Sequence, residues 1–198
     1  MQKTILRVLF VHGMGRSPAS GWPLLLRIRQ AGLKTSTFGY SATFENFDSI
    51  TARLRKRISL LASSGDYVVI GHSLGGVLLR AALNSLPKGT KQPQHVYLLG
   101  SPMQPSRIAT KLKSNMIYRA IAGDCGQLLG SPERLKAIGS VAVPTTCIVG
   151  IRGIGISRRL FNNEANDGIV SVSEVSAPWV SSHIEVPVVH TLLPSSKL

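Results

Sequence analysis

The segment Gly71-His72-Ser73-Leu74-Gly75-Gly76 has the residue types and the spacing of a turn that carries a nucleophilic serine. It follows the apolar run Tyr67-Val68-Val69-Ile70 and precedes an amphipathic stretch, which predicts a strand, a tight turn and a helix. Gly71 and Gly75 are small enough to let the two backbones pass closely. Such a turn lifts the Ser73 hydroxyl above the sheet, beside a helix N-terminus that favours negative charge. A glycine-rich turn with an unreactive serine is the structural alternative.

A nucleophilic serine needs a base. The predicted strand Ile184–Val189 ends directly before His190, which places this histidine at the same edge of the sheet as Ser73. The remaining histidines lie either in turns next to the serine or at the opposite edge of the sheet: His12, His72, His95 and His183. We therefore predict His190 as the base, with a hydrogen-bonded loop histidine as the structural alternative.

The base in turn needs a carboxylate that orients it. The acidic residues between Ser73 and His190 are Asp124, Glu133, Glu164, Asp167, Glu174 and Glu185. Asp167 lies in an Asp-Gly sequence shortly after the predicted strand Thr145–Val149 and is the predicted partner of His190. Glu164 is its closest competitor, and a purely structural Asp-Gly turn is the third possibility.

The first predicted strand, Ile5–Val11, ends in the glycine-rich sequence His12-Gly13-Met14-Gly15. A tetrahedral intermediate needs N–H donors for its oxyanion. We predict that the backbone N–H groups of Met14 and Leu74 converge on that oxygen, which leaves the Met14 side chain to line a substrate pocket. A glycine-rich turn without this role is the alternative.

Short apolar runs alternate with amphipathic stretches along the whole chain, which predicts an α/β domain spanning residues 1–198. We expect a doubly wound, mostly parallel sheet of about six strands flanked by helices, with ligands bound beyond the carboxyl ends of the strands. The predicted strands are Ile5–Val11, Thr35–Tyr40, Tyr67–Gly71, His95–Leu99, Thr145–Val149 and Ile184–Val189. The predicted helices are Pro18–Ala31, Phe47–Ala62 and Val77–Leu86.

The composition combines 43% hydrophobic residues with a formal net charge of +14 in 198 residues. This apolar content argues against disorder, and two cysteines do not make a disulfide framework, so a cytoplasmic protein is expected. The charge and the basic residues of 53–57 motivate a second class of function, a basic module that binds nucleic acid or anionic membranes. The chain has few aromatic residues among its basic ones and no nucleic-acid motif. We expect no specific nucleic acid and at most weak attraction to anionic membrane surfaces.

Several of these segments together resemble the α/β-hydrolase fold, and within it the bacterial lipase and esterase group with a single glycine-x oxyanion turn. They are His12-Gly13-Met14-Gly15, Gly71–Gly76, Gly100-Ser101-Pro102, Asn166-Asp167-Gly168-Ile169-Val170 and His190. The resemblance implies ester hydrolysis through an acyl-enzyme, with Ser73, Asp167 and His190 as the catalytic triad and Met14 and Leu74 as oxyanion donors. The expected substrate is a small-molecule or lipid ester. Thioesterases, amidases and acyltransferases use the same triad and stay open as alternatives.

The resemblance has two departures. The family often continues the strand after the serine turn with threonine-proline-histidine-x-glycine, where this chain has Ser101-Pro102-Met103-Gln104-Pro105. Secreted lipases hold calcium through an aspartate soon after the triad histidine, whereas no carboxylate follows Glu185 here. We therefore expect neither a metal ion nor a cofactor.

Residues 103–143 lack strong strand character and are the predicted substrate cap, with Met103 as a candidate substrate-binding residue. The segment is short and carries six basic residues. We accordingly expect short- and medium-chain esters to be better substrates than emulsified long-chain triglycerides.

Overall fold

The segments predicted as strands form one parallel sheet in the computed structural model of the protein, which describes residues 6–153 and 155–196. The strands are β1 (Arg7–Val11), β2 (Lys34–Phe38), β3 (Tyr67–His72), β4 (Val96–Leu99), β5 (Thr145–Gly150) and β6 (Ser182–Val186). Their spatial order, β2-β1-β3-β4-β5-β6, confirms the doubly wound α/β architecture. Ile5, the predicted start of the first strand, lies outside the described residues.

Seven α-helices lie within the described residues, and they connect or follow the strands. They are α1 (Trp22–Gln30), α2 (Phe47–Ser63), α3 (Leu74–Asn84), α4 (Arg107–Leu112), α5 (Met116–Leu129), α6 (Pro132–Ile138) and α7 (Gly155–Leu160). Three 3-10 helices are also present: Pro18–Gly21, Ser173–Val175 and His190–Ser195. Among the described residues, none of the helices combines the length and the hydropathy needed to cross a bilayer.

The predicted helix Val77–Leu86 is shifted, because α3 begins at Leu74, directly after Ser73. Glycine is a poor helix former, yet Gly75 and Gly76 both lie in the first turn of this helix. A Cβ atom at Gly75 would lie 2.3 Å from the Val11 carbonyl oxygen, so the glycine allows the first turn of α3 to pack against β1. The predicted helix Pro18–Ala31 is likewise divided, into a 3-10 turn and α1.

Both faces of the sheet are covered by apolar side chains, as expected for a parallel sheet. Alternate residues of β1 point to opposite sides, so that Leu9 packs toward α2 and α3, whereas Phe10 packs toward α1. The register places Val11 beside Gly71, and His72 beside Leu99, so the strand ends that precede the predicted catalytic turns are level. The sheet therefore brings these turns to one edge.

Candidate active site

Ser73 lies between β3 and α3 with φ 53° and ψ −125°, a backbone conformation that residues other than glycine rarely adopt. Such a conformation costs about 1–3 kcal/mol and persists where surrounding structure enforces it. Here the Ser73 N–H donates to the Leu99 carbonyl at 2.8 Å, and the Ser73 carbonyl accepts from the Gly76 N–H at 3.0 Å. The turn is thus held from the neighbouring strand and from the helix that follows.

The turn after β1 packs directly against the serine. A Cβ atom at Gly13 would lie 3.0 Å from the Ser73 Cβ and 3.3 Å from the His72 carbonyl oxygen. Met14 follows Gly13 and lines the same cavity as Ser73. Leu74 is the first residue of α3, so its N–H is one of the free donors of that helix. The two predicted oxyanion donors therefore belong to segments that meet at the serine.

The structure brings His190 and Asp167 together, 23 residues apart in the chain. His190 Nδ1 lies 2.6 Å from Asp167 Oδ2, and the His190 N–H donates to the Asp167 carbonyl at 2.9 Å. The other carboxylate oxygen, Asp167 Oδ1, accepts from the N–H groups of Ile169 and Val170 at 2.9 and 2.8 Å. Because the carboxylate accepts from Nδ1, this nitrogen carries the hydrogen, and Nε2 is left with a lone pair that can take a proton.

Glu164, the competing carboxylate, has other partners. It forms an ion pair with Arg107 at 2.9 Å and accepts from the backbone N–H of Ser173 at 2.6 Å. Asp167 is therefore the acidic residue that the structure places against His190.

His72, the residue before the serine, is buried and also contacts His190. Its Nε2 lies 3.1 Å from the His190 carbonyl oxygen, and the two rings are 4.9 Å apart. Burial lowers the pKa of His72 to about 3, and the proximity of His190 contributes in the same direction.

His12 stacks on Tyr40 at 4.3 Å, and burial lowers its pKa as well. Both His12 and His72 are structural neighbours of the site. His95 and His183 lie at the amino-terminal edge of the sheet, as predicted.

Ser73 and His190 line one cavity of about 260 Å³. Its apolar wall is formed by Met14, Pro102, Ile108, Ala109, Tyr118, Leu129, Ile169 and Val170. The segment 103–143 contains α4, α5 and α6. Five of the wall residues belong to this segment or adjoin it. Met103 is absent from the cavity lining: its side chain is buried in the main hydrophobic core. The flexible, apolar methionine side chain is used here to fill the core.

The sequence analysis assigned no role to two residues that adjoin the site. Gly100 contacts the base, since a Cβ atom there would lie 2.9 Å from Nδ1 and Cε1 of His190. Glu174 is buried and accepts from the N–H groups of Arg107 and Ser171 at 2.6 and 2.8 Å, which ties the start of α4 to the segment after Asp167. The glycine at the end of a predicted strand was a usable signal for Gly100. Nothing in the local sequence marks Glu174.

A serine on a strained strand-to-helix turn, with a histidine and a carboxylate after later strands of a parallel sheet, defines the class of α/β hydrolases. The chain belongs to the alpha/beta hydrolase family, whose family model matches residues 8–180. No curated protein matches the sequence.

Several solved structures share this fold. The mature form of the Bacillus licheniformis lipase BlEst2 is 14% identical, with a TM-score of 0.78 over 98% of this chain and 88% of that chain. The metagenomic carboxyl esterase MGS0156 is 16% identical, with a TM-score of 0.72 over 96% and 65%. The thioesterase RedJ of Streptomyces coelicolor is 13% identical, with a TM-score of 0.61 over 97% and 80%.

Proposed function

We propose that this protein is a serine hydrolase that cleaves carboxylic esters through an acyl-enzyme intermediate. The observation that carries the proposal is the hydrogen bond of 2.6 Å between His190 and Asp167. His190 lines the same cavity as Ser73, which lies on the strained turn. The fold shared with lipases and a carboxyl esterase is consistent with it.

In the first half of the proposed reaction, Ser73 Oγ attacks the ester carbonyl carbon while His190 Nε2 takes the hydroxyl proton. The carbonyl electron pair moves to the oxygen, which the N–H groups of Met14 and Leu74 stabilise. The C–O bond then breaks as His190 returns the proton to the leaving alcohol. Asp167 holds the imidazole in the correct tautomer throughout.

In the second half, water attacks the acyl-enzyme, and His190 takes a proton from that water and returns it to Ser73 Oγ. The products are the carboxylic acid and regenerated enzyme. The cavity wall is apolar, which suits an acyl chain. Thioesters and amides would react through the same steps, with a thiol or an amine as the leaving group.

The proposal is tested with Ser73→Ala, a fluorophosphonate probe and p-nitrophenyl acetate. We expect the variant to lose covalent labelling and to turn over ester at least ~10⁴-fold more slowly than wild type. Ser63→Ala, at the exposed end of α2, is the matched control and should leave both measurements unchanged.

Persistent labelling of the Ser73→Ala variant would refute the nucleophile. If wild type labels at Ser73 yet hydrolyses matched thioesters or amides far faster than esters, then the nucleophile is right and the substrate class is wrong.

A further inference from the structure

The first half of α5 has an apolar face without a packing partner among the described residues. Met116, Ile117 and Ile121 are 83%, 71% and 61% exposed. Together with Ala120 they occupy positions i, i+1, i+4 and i+5, which share one side of a helix. An amphipathic helix at the protein surface normally packs its apolar residues against the core. An exposed apolar face of this kind indicates a binding surface.

The apolar face continues onto the loop before α2. Thr43 Oγ1 donates to the Ile121 carbonyl at 2.7 Å, which fixes this loop against α5. Phe44, the next residue, is 89% exposed. A Cβ atom at Gly123 would lie 2.4 Å from the Ala42 carbonyl oxygen, so α5 and the loop are in close backbone contact. We call the surface formed by Phe44, Met116, Ile117 and Ile121 the α5 patch.

Exposed basic residues flank the α5 part of the α5 patch. Residues 103–123 contain four basic residues and no acidic residue. Lys111 and Lys113 precede α5, and Arg119 lies beside its apolar face; all three are exposed. Two acidic side chains that neighbour the α5 patch in sequence are paired, Asp124 with Arg134 at 2.7 Å and Glu45 with Arg53 at 2.6 Å. Exposed apolar side chains flanked by cations match a surface with an apolar interior and anionic headgroups.

The helix that carries the α5 patch also forms part of the wall of the catalytic cavity. Tyr118, on the opposite side of the same helical turn, lines that cavity, and so does Ile108 of α4. Arg16, which is exposed, lies on its rim. A lipid surface that contacts Met116 and Ile117 would therefore lie against the same helix that forms part of the cavity wall.

We propose that the α5 patch docks the protein on anionic lipid surfaces. The apolar side chains of the α5 patch enter the headgroup region, while Lys111, Lys113 and Arg119 pair with lipid phosphates. Docking does not depend on the reaction at Ser73, and the Ser73→Ala variant should bind as wild type does. The binding test thus fails independently of the hydrolase assignment.

The test is co-sedimentation of the purified protein with vesicles of phosphatidylcholine alone or mixed with phosphatidylglycerol. We expect at least about tenfold tighter binding to the mixed vesicles, reduced by added salt. Ile117→Gln combined with Ile121→Gln should weaken binding to mixed vesicles by about tenfold or more. Lys111→Gln combined with Lys113→Gln should cost about fivefold for each charge removed and abolish the preference for mixed vesicles.

The matched controls lie in the C-terminal half of α2, which leads to the opposite edge of the sheet. Leu60→Gln removes an apolar side chain that is 64% exposed, and Arg55→Gln with Lys56→Gln removes the same charge as the lysine pair. Both should bind as wild type does. Equal losses in these controls would show that net charge and general surface hydropathy, and not the α5 patch, determine binding.

Three further results would overturn the proposal. The first is equal binding of wild type to both vesicle compositions, and the second is no binding to either. The third is a wild-type dimer that the double isoleucine variant converts to a monomer, because the α5 patch would then be an interface between two copies of this chain. Size-exclusion chromatography with light scattering makes that measurement.

Discussion

The His72 ring is hydrogen-bonded to the backbone of His190: its Nε2 lies 3.1 Å from the His190 carbonyl oxygen. A carbonyl only accepts, so Nε2 of His72 is the donor and Nδ1 carries the lone pair. The residue next to the nucleophile therefore contacts the main-chain carbonyl of the base, whereas Asp167 contacts its N–H and its ring. Since burial keeps His72 neutral, this contact adds no positive charge beside His190.

His72 makes the stability of the protein depend on pH. Its pKa is about 3 in the folded protein, against an ordinary value of 6.5 for histidine, so between about pH 6.5 and pH 3 mainly the unfolded chain takes up this proton. As the pH falls from about 6 to about 4, we expect His72 to lower the free energy of unfolding by about 1 kcal/mol per pH unit. Above about pH 7.5 His72 should make no contribution to the pH dependence. His12 contributes with the same sign.

Urea unfolding at a series of pH values measures this dependence. His72→Gln should reduce the slope by about 1 kcal/mol per pH unit. His183→Gln, which replaces a histidine exposed to solvent, is the control variant. An unchanged slope in the His72 variant would mean that His72 is protonated in the folded protein.

Asp167→Asn should reduce ester turnover by ~10⁴-fold, because an asparagine no longer holds the Nδ1–H tautomer of His190. Glu164→Gln is the matched control: it removes the ion pair with Arg107 and leaves the carboxylate at His190 intact. We expect less than a tenfold change in kcat for this control. The reverse pattern, with Glu164→Gln as the damaging change, would exchange the two roles.

The sheet and the positions of the proposed triad could be predicted from the sequence, because both depend on local patterns. Apolar runs ending in glycine or histidine mark the carboxyl ends of parallel strands, and these ends necessarily share one edge. Met103 and Gly100 could not be assigned in this way. Whether Met103 lines the cavity or fills the core, and whether Gly100 contacts His190, depends on how separate segments pack together. The exposure of the apolar face of α5 could not be predicted either, since its apolar residues have the composition of a core helix.

Gly100→Ala should impair the site more than the fold. Gly100 has φ +54°, and a Cβ atom there would lie 2.9 Å from the His190 ring and 2.8 Å from Leu193 Cδ1. We expect the displaced imidazole to lower kcat by about 100-fold, since misplacement by about 1 Å has an effect of this size. Gly89→Ala is the control, because Gly89 has φ +81° and nothing within 4 Å of the added atom. It carries the same backbone penalty, of about 1 kcal/mol, without contact to the site.

Thermal unfolding and steady-state kinetics separate the two effects. Similar destabilisation of both variants with a large fall in kcat for Gly100→Ala alone is the expected result. If both variants keep the wild-type kcat, the His190 ring has room to move without loss of function, and the contact with Gly100 is incidental.

Short- and medium-chain esters should be the preferred monomeric substrates, because the cavity is small. Its volume of about 260 Å³ lies below the ~300–1,000 Å³ usual for ligand pockets. Each methylene that fits contributes about 0.8 kcal/mol, or roughly a fourfold gain in kcat/KM, and carbons beyond the floor contribute nothing. A series of p-nitrophenyl esters from acetate to palmitate, each kept below its micelle concentration, should therefore rise and then reach a plateau. Leu129→Ala, which shortens a cavity wall, should move the plateau to longer chains, whereas Leu60→Ala on α2 should leave it in place. A steady rise to palmitate in wild type would show that α4 and α5 separate to admit long chains.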